Sequence, residues 1–174
     1  MALYPTIAIS AINSPSYIVN GVGAEISGVD TAISRGNDAD TAMLKLTNYG
    51  SILGGNLAYD GKLYTASDVI INAGSIVGDV NLGGGADSFD NRRGTIDGTV
   101  FGGAGRDIFV PGAGAEIFDG GSDTDRLDCR NLTSAVRIYL NGASNNTGAA
   151  AGDTYIGIEQ FFGTVFADEF DGDA

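Results

Sequence analysis

Residues 102–128 read Gly102-Gly103-Ala104-Gly105-Arg106-Asp107-Ile108-Phe109-Val110, then Pro111-Gly112-Ala113-Gly114-Ala115-Glu116-Ile117-Phe118-Asp119, then Gly120-Gly121-Ser122-Asp123-Thr124-Asp125-Arg126-Leu127-Asp128. Three nine-residue units lie back to back. Each has glycine near its start, an acid at the sixth place and a large apolar residue at the eighth. Self-similarity at a short fixed period marks a stack of repeats, because one such unit cannot bury its own apolar side.

The pattern extends upstream. Leu82-Gly83-Gly84-Gly85-Ala86-Asp87-Ser88-Phe89-Asp90 has the same form, Ser67-Asp68-Val69-Ile70 keeps the acid and the apolar place, and Arg35 to Asp40 is a degenerate copy. A second motif interleaves: Asn48-Tyr49-Gly50-Ser51-Ile52 recurs as Asn72-Ala73-Gly74-Ser75-Ile76 and, one residue longer, as Asn91 to Ile96. Aspartates 40, 68, 87, 107 and 125 are spaced by 28, 19, 20 and 18 residues. The long first interval implies an insertion near Gly55 to Thr65. One period therefore holds an acid loop, a short strand, an Asn/Gly turn and a second strand. Alternation puts Phe89, Ile96, Ile108, Val110, Ile117 and Leu127 among the candidates for the interior. The expected fold is all-β: a parallel β-solenoid running as one unit over 1–174. It has an N-terminal strand and cap region over 1–34, degenerate β-helix coils over 35–78 and acid-loop coils over 79–174. The strand at the start is expected from Tyr4 to Ile12.

Composition narrows the chemistry. Of 174 residues, 28 are glycine and none is histidine, and 22 acids face 9 Lys+Arg. Nucleic acid is not an expected partner, since phosphate binding needs a basic surface. Sixteen of the 22 acids fall from Asp79 onward, and short carboxylates among glycines suit hard cations such as Ca²⁺. Without histidine there is no His-based triad or acid–base pair. Cys129, the single cysteine, provides no disulfide framework or cysteine zinc site; it reads as a half-buried filler or an exposed thiol. No apolar run reaches membrane-span length. A cleaved signal peptide is not expected, because the first basic residue is Arg35.

These units resemble the RTX (hemolysin-type) calcium-binding repeat family, whose consensus is Gly-Gly-x-Gly-x-Asp-x-apolar-x. Gly102 to Val110 matches every position. The tail is similar too, through Val136 to Leu140, Gly152-Asp153-Thr154, Gly157-Ile158-Glu159 and Gly163 to Asp168. The resemblance implies a β-roll that continues from a generic bacterial β-helix. It implies several Ca²⁺ ions between stacked loops, held by sixth-place carboxylates, here Asp87, Asp107 and Asp125. Backbone carbonyls would complete the shell, with Gly83, Gly85, Gly102, Gly103, Gly105, Gly120 and Gly121 in the ligand loops. Asp123, at a glycine place, would add a carboxylate. Asp153 and Asp168 are further candidates. The other column carries Glu116 in place of Asp and is not expected to be fully occupied. Asn48, Asn72 and Asn91 are expected to satisfy turn backbone.

Three functions follow as expectations. The first is an extracellular, non-enzymatic structural or interaction module, folded by calcium. It would stack head to tail with copies of itself or contact cell-surface polysaccharide. The second is the secretion and folding module of a larger secreted enzyme, toxin or adhesin. The third is a free-standing polysaccharide lyase or epimerase. The resemblance also implies secretion by a one-step, type I route.

Overall fold

The eighth place of the nine-residue unit sets the interior. Phe89, Phe109, Phe118 and Leu127 all occupy it, and all are 0% exposed. Each belongs to a short strand bounded by glycine or asparagine turns. A computed structural model describes residues 9–10, 16–35, 42–61, 65–140 and 143–172. Over these residues the chain is all-β with long parallel sheets and two short 3-10 turns.

One sheet stacks seven strands in chain order: Ser16–Asn20, Leu44–Asn48, Val69–Asn72, Ser88–Asp90, Ile108–Val110, Arg126–Asp128 and Gln160–Phe162. The other follows the path Ile9–Ser10, Thr31–Ser34, Ser51–Asp60, Ser75–Asn81, Thr99–Ala104, Ile117–Ser122 and Thr154–Ile156. Glu25–Gly28 pairs with Ser51–Asp60, and Thr95–Asp97 with Ser75–Asn81. From Leu44 to Asp128 the chain therefore alternates between the two sheets. Among the described residues every pairing between named strands is parallel, as it must be when equivalent strands of successive repeats stack. Of the strand expected over 4–12, Ile9–Ser10 is described and the rest lies outside the described residues.

Register lines up the apolar places. Ile18, Leu46, Ile70, Phe89, Phe109, Leu127 and Phe161 form one ladder. Ile26, Ile52, Ile76 and Ile96, the isoleucines after the Asn/Gly turns, form another. Phe118 lies 5.3 Å from Phe109 and 6.3 Å from Phe89, ring centre to ring centre, so the two sheets share an aromatic core. Burying each such ring contributes roughly 1.5–3 kcal/mol.

Three interior assignments need correction. Ile117 is 41% exposed, and Ile108 and Val110 are half-buried; Phe118 and Phe109 take the inward places. A three-residue strand has one inward side chain, and a shift of one residue reverses every direction. Ile96, although half-buried, packs against the core in line with Ile76, as expected. Cys129 is 0% exposed, neither half-buried nor surface, and burial pushes its thiol up to about 12. The inserted stretch appears as register shifts between Leu53 and Tyr59 in the long strand Ser51–Asp60. Beyond the two large sheets, Arg137–Tyr139 pairs with Glu169–Asp171. No described helix is long and apolar enough to cross a membrane.

Candidate metal centre

The acid loops share one backbone conformation. Gly83, Gly103 and Gly121 have φ of 101°, 98° and 92° at the second place. Gly85, Gly105 and Asp123 have φ of 120°, 123° and 79° at the fourth. Asp123 is the one non-glycine at positive φ among the described residues. Its left-handed conformation, which Asp tolerates better than most residues, shows that the third loop keeps the shape of the other two despite losing a glycine. The loops also stack closely. A Cβ on Gly103 would sit 1.9 Å from the Gly83 carbonyl oxygen, and one on Gly105 1.7 Å from that of Gly85.

The sixth-place acids form a continuous chain of hydrogen bonds. The backbone N–H of each donates to the carboxylate of the next: Asp68 to Asp87 at 2.6 Å, Asp87 to Asp107 at 2.8 Å, and Asp107 to Asp125 at 2.8 Å. Asp125 then donates to Glu159 at 2.8 Å. Each of these bonds uses one carboxylate oxygen. The second oxygen, Oδ2, of Asp87, Asp107 and Asp125 is buried with no hydrogen-bond partner among the described residues. A buried, unpaired carboxylate oxygen is costly. Burial accordingly pushes the Asp87 carboxyl up to about 8 and that of Asp107 up to about 6, against the lowering effect of the N–H donors. Asp125 moves the same way. Like charges add to the rise: Asp107 and Asp68 act on Asp87, and Asp123 acts on both Asp107 and Asp125.

At Asp107 and Asp125 a glycine at the first place of the unit leaves room beside this oxygen, whereas the Asp87 unit has Leu82 there. A Cβ on Gly102 would meet Asp107 Oδ2 at 2.4 Å and the Gly120 carbonyl at 2.6 Å. One on Gly120 would meet the Gly157 carbonyl at 2.2 Å and Asp125 Oδ2 at 2.5 Å. At Gly102 and Gly120 a carboxylate oxygen and a carbonyl oxygen thus face the same small space, bounded at Gly102 also by the Phe109 ring; paired hard oxygens of this kind suit Ca²⁺. Among the described residues no three acidic, histidine or cysteine side chains converge as a cluster. An ion here would take most of its ligands from the backbone.

The head of the column is different. Asp68 is fully buried, but its Oδ1 accepts from Arg35 Nη1 at 2.5 Å and from Leu44 N at 3.0 Å, and its Oδ2 accepts from the Tyr59 hydroxyl at 2.5 Å. Arg35 is 3% exposed. A protein cation therefore pairs directly with the first acid and acts on Asp87 only from a distance, and among the described residues no cation forms an ion pair with Asp87, Asp107 or Asp125. The motifs mark Arg35 only as the start of a degenerate copy and Glu159 only as part of the tail, and they do not mark Tyr59; none of the three was expected in this column. For Glu159 a signal existed: like the aspartates, it directly precedes a short apolar strand. Asp38 and Asp40 lie outside the described residues.

The opposite edge carries amides. Asn20, Asn48 and Asn72 each donate Nδ2 to Oδ1 of the next asparagine, at 2.8, 2.8 and 2.6 Å, and Asn91 donates to Glu116. These asparagines also serve turn backbone, as in Gly50 N to Asn48 Oδ1 and Asn48 Nδ2 to Ser75 O. Glu116 receives Gly112 N on both oxygens. Asp153 sits here, not in the aspartate column: it accepts Glu116 N at 2.9 Å on Oδ1 and the Tyr155 hydroxyl at 2.7 Å on Oδ2. Burial pushes Glu116 up to about 7 and Asp153 up to about 6. Asp168 directly precedes a strand of the small third sheet, accepting Val136 N on Oδ1 and Thr164 N on Oδ2. Burial would raise it, but these donors hold it below the usual carboxylate range.

Comparison with protein-family models, with curated proteins and with solved structures gives no match to this chain.

Proposed function

We propose that the chain is a calcium-binding parallel β-solenoid of the RTX type, serving outside the cell as a structural or interaction module and not as an enzyme. One observation carries this reading: the three buried Oδ2 atoms of Asp87, Asp107 and Asp125 that lack a partner. Their column is headed by an acid that does have a cation, Arg35 on Asp68. Ca²⁺ supplies to the next three what Arg35 supplies to the first.

Asp87, Asp107 and Asp125 would hold the ions, with loop carbonyls from 83–85, 102–105 and 120–121 and the carboxylate of Asp123. The ion contributes positive charge and oxygen coordination. The chain contributes the stacked glycine turns that bring carbonyls and carboxylates together. Because the ligands are not preformed in an unfolded chain, binding and folding are coupled. A calcium-rich exterior then favours the folded form and a calcium-poor cytoplasm the unfolded one.

Calorimetric titration of chelator-treated protein with Ca²⁺, followed by circular dichroism, tests the reading. Saturable binding with a gain of β signal is expected, and Mg²⁺ should substitute poorly because of its stricter geometry. Identical spectra and melting in EDTA and in millimolar Ca²⁺ would sink it.

A further inference from the structure

A cleft of about 470 Å³ is lined by residues at the ends of the strands Val69–Asn72 and Ser88–Asp90, and no acid of the column lines it. Its volume falls in the range of about 300–1,000 Å³ usual for small-ligand sites. Tyr49, Ala73 and Arg92 follow strands or turns of three successive repeats, since Asn48 pairs with Asn72 and Ile71 with Asp90. Ala73 contributes only a methyl between two large side chains, so a depression forms. Strand spacing sets Tyr49 and Arg92 roughly 10 Å apart. Ile71, Asn131 and Thr133 also line it.

The lining has mixed chemistry. Tyr49 is 48% exposed, an aromatic face available to a ligand. Arg92 is oriented by Asp90, with Nε 3.0 Å from Oδ1 and Nη2 2.6 Å from Oδ2. Its Nη1 has no partner among the described residues. Arg93 is exposed and makes no ion pair or side-chain hydrogen bond among them. Arg130, beside the lining residue Asn131, and Arg126 flank the Phe162 ring at 5.0 Å each. Arg126 and Arg130 are both paired with Asp128 and do not line the cleft, so its own positive charge is that of Arg93 and of Arg92 beside Asp90, in a protein with net charge −13.

We propose that this cleft binds a carboxylated saccharide, a hexuronate unit of an acidic glycan. The pyranose C–H face stacks on Tyr49 and Ile71, the carboxylate meets Arg93 and the spare Nη1 of Arg92, and hydroxyls bond to Asn131, Thr133 and Asp90. A bare phosphate would use the arginines and leave the aromatic wall idle. A nucleic acid needs more cations than the site offers and meets repulsion from the rest of the chain. The site uses no residue of the acid column, so it stands or falls apart from the calcium reading.

The test is calorimetric or NMR titration of the intact chain with trigalacturonate and with its neutral trisaccharide counterpart, at matched free calcium. Saturable binding of the acidic sugar is expected, at least tenfold tighter than the neutral one. Arg93→Ala and Tyr49→Ala should each weaken it about tenfold or more, with unchanged circular dichroism and unchanged calcium titration. Equal affinity for the two sugars, no saturable binding, or wild-type affinity in both variants would overturn the proposal. So would competition by inorganic phosphate at the concentration of the trisaccharide itself, which would leave an anion pocket with no sugar recognition.

Discussion

Asp107 Oδ1 accepts the backbone N–H of Asp87 at 2.8 Å, while Oδ2 of the same carboxylate is buried without a partner. The bonded oxygen fixes the loop, and the other waits for a proton or a cation. This division of labour makes opposite predictions for the two states of the protein.

Without calcium at pH 8, the ionised Asp107 is a burden on the fold. A carboxyl raised to about 6 from an unfolded value near 3.9 corresponds to about 3 kcal/mol at most. Asp107→Asn keeps an acceptor for Asp87 N and removes the charge, at the cost of an amide N–H₂ that needs a partner. A net gain of about 1–2 kcal/mol is expected in chelator, a rise in Tm of roughly 3–6 °C. In calcium the sign reverses, and affinity falls tenfold or more. Melting curves of both proteins in both conditions check the crossing; a loss of stability in chelator would contradict it.

The same oxygens set an unusual pH dependence. Asp87 and Asp107 are raised to about 8 and about 6, so the folded form holds protons that the unfolded chain releases near pH 4. Stability from these groups is therefore full below about pH 4 and is lost as pH rises through about 6 to 8. Metal-free protein should resist urea better at pH 5.5 than at pH 8.5, and calcium binding near pH 7 should release protons. A metal-free stability that climbs across this interval would refute the assignment.

Arg35 should matter equally with and without metal. It is buried against Asp68, with Tyr59 on the far oxygen. Removing one partner of a buried pair costs about 3–5 kcal/mol, because the other charge is stranded. Arg35→Met should lower stability by that amount in chelator and in calcium alike, and Arg35→Met with Asp68→Asn should recover much of it. A double variant no better than the single one would show that the guanidinium acts through packing instead.

How much of this was legible differs from residue to residue. The glycine places and the sixth-place acids identified the loops, and Asp123 keeps its left-handed φ of 79° where the pattern asks for glycine. The asparagine positions were legible as turns, but not their side-chain ladder, since Asn48 and Asn72 meet only through parallel stacking. Arg35 and Asp68 are 33 residues apart, a contact that no local period encodes. Glu159 follows Asp125 by 34 residues, because residues 129–158 interrupt the nine-residue count. Ile108, Val110 and Ile117 were misplaced because apolar residues occupy the seventh or ninth place as well as the eighth, and alternation then carries no phase.

The asparagine ladder should carry stability without regard to metal. Asn72 donates to Asn91 Oδ1 and Thr95 O at 2.6 and 3.0 Å and accepts from Asn48 Nδ2 and Gly74 N at 2.8 and 3.2 Å. Asn72→Ala leaves these groups unpaired in the interior, at about 2–4 kcal/mol. Urea unfolding should show this loss in chelator and in calcium; a neutral effect would mean that water replaces the side chain.

Asp123 separates strain from ligation. At φ 79° it holds a conformation that glycine adopts without penalty, and its charge raises both Asp107 and Asp125. Asp123→Gly should therefore stabilise the metal-free protein by about 1 kcal/mol, through backbone relief and through removal of a repelling charge. Asp123→Asn tolerates the same φ but is neutral, so it keeps the strain and loses only the charge. In calcium both variants should bind more weakly than the parent. By contrast, Gly105→Ala, whose Cβ would fall 1.7 Å from the Gly85 carbonyl, should destabilise both states by about 2–4 kcal/mol. Calcium titrations in which Asp123→Gly and Asp123→Asn match the parent would remove Asp123 from the ligand set and leave the loop with backbone carbonyls and the sixth-place acids alone.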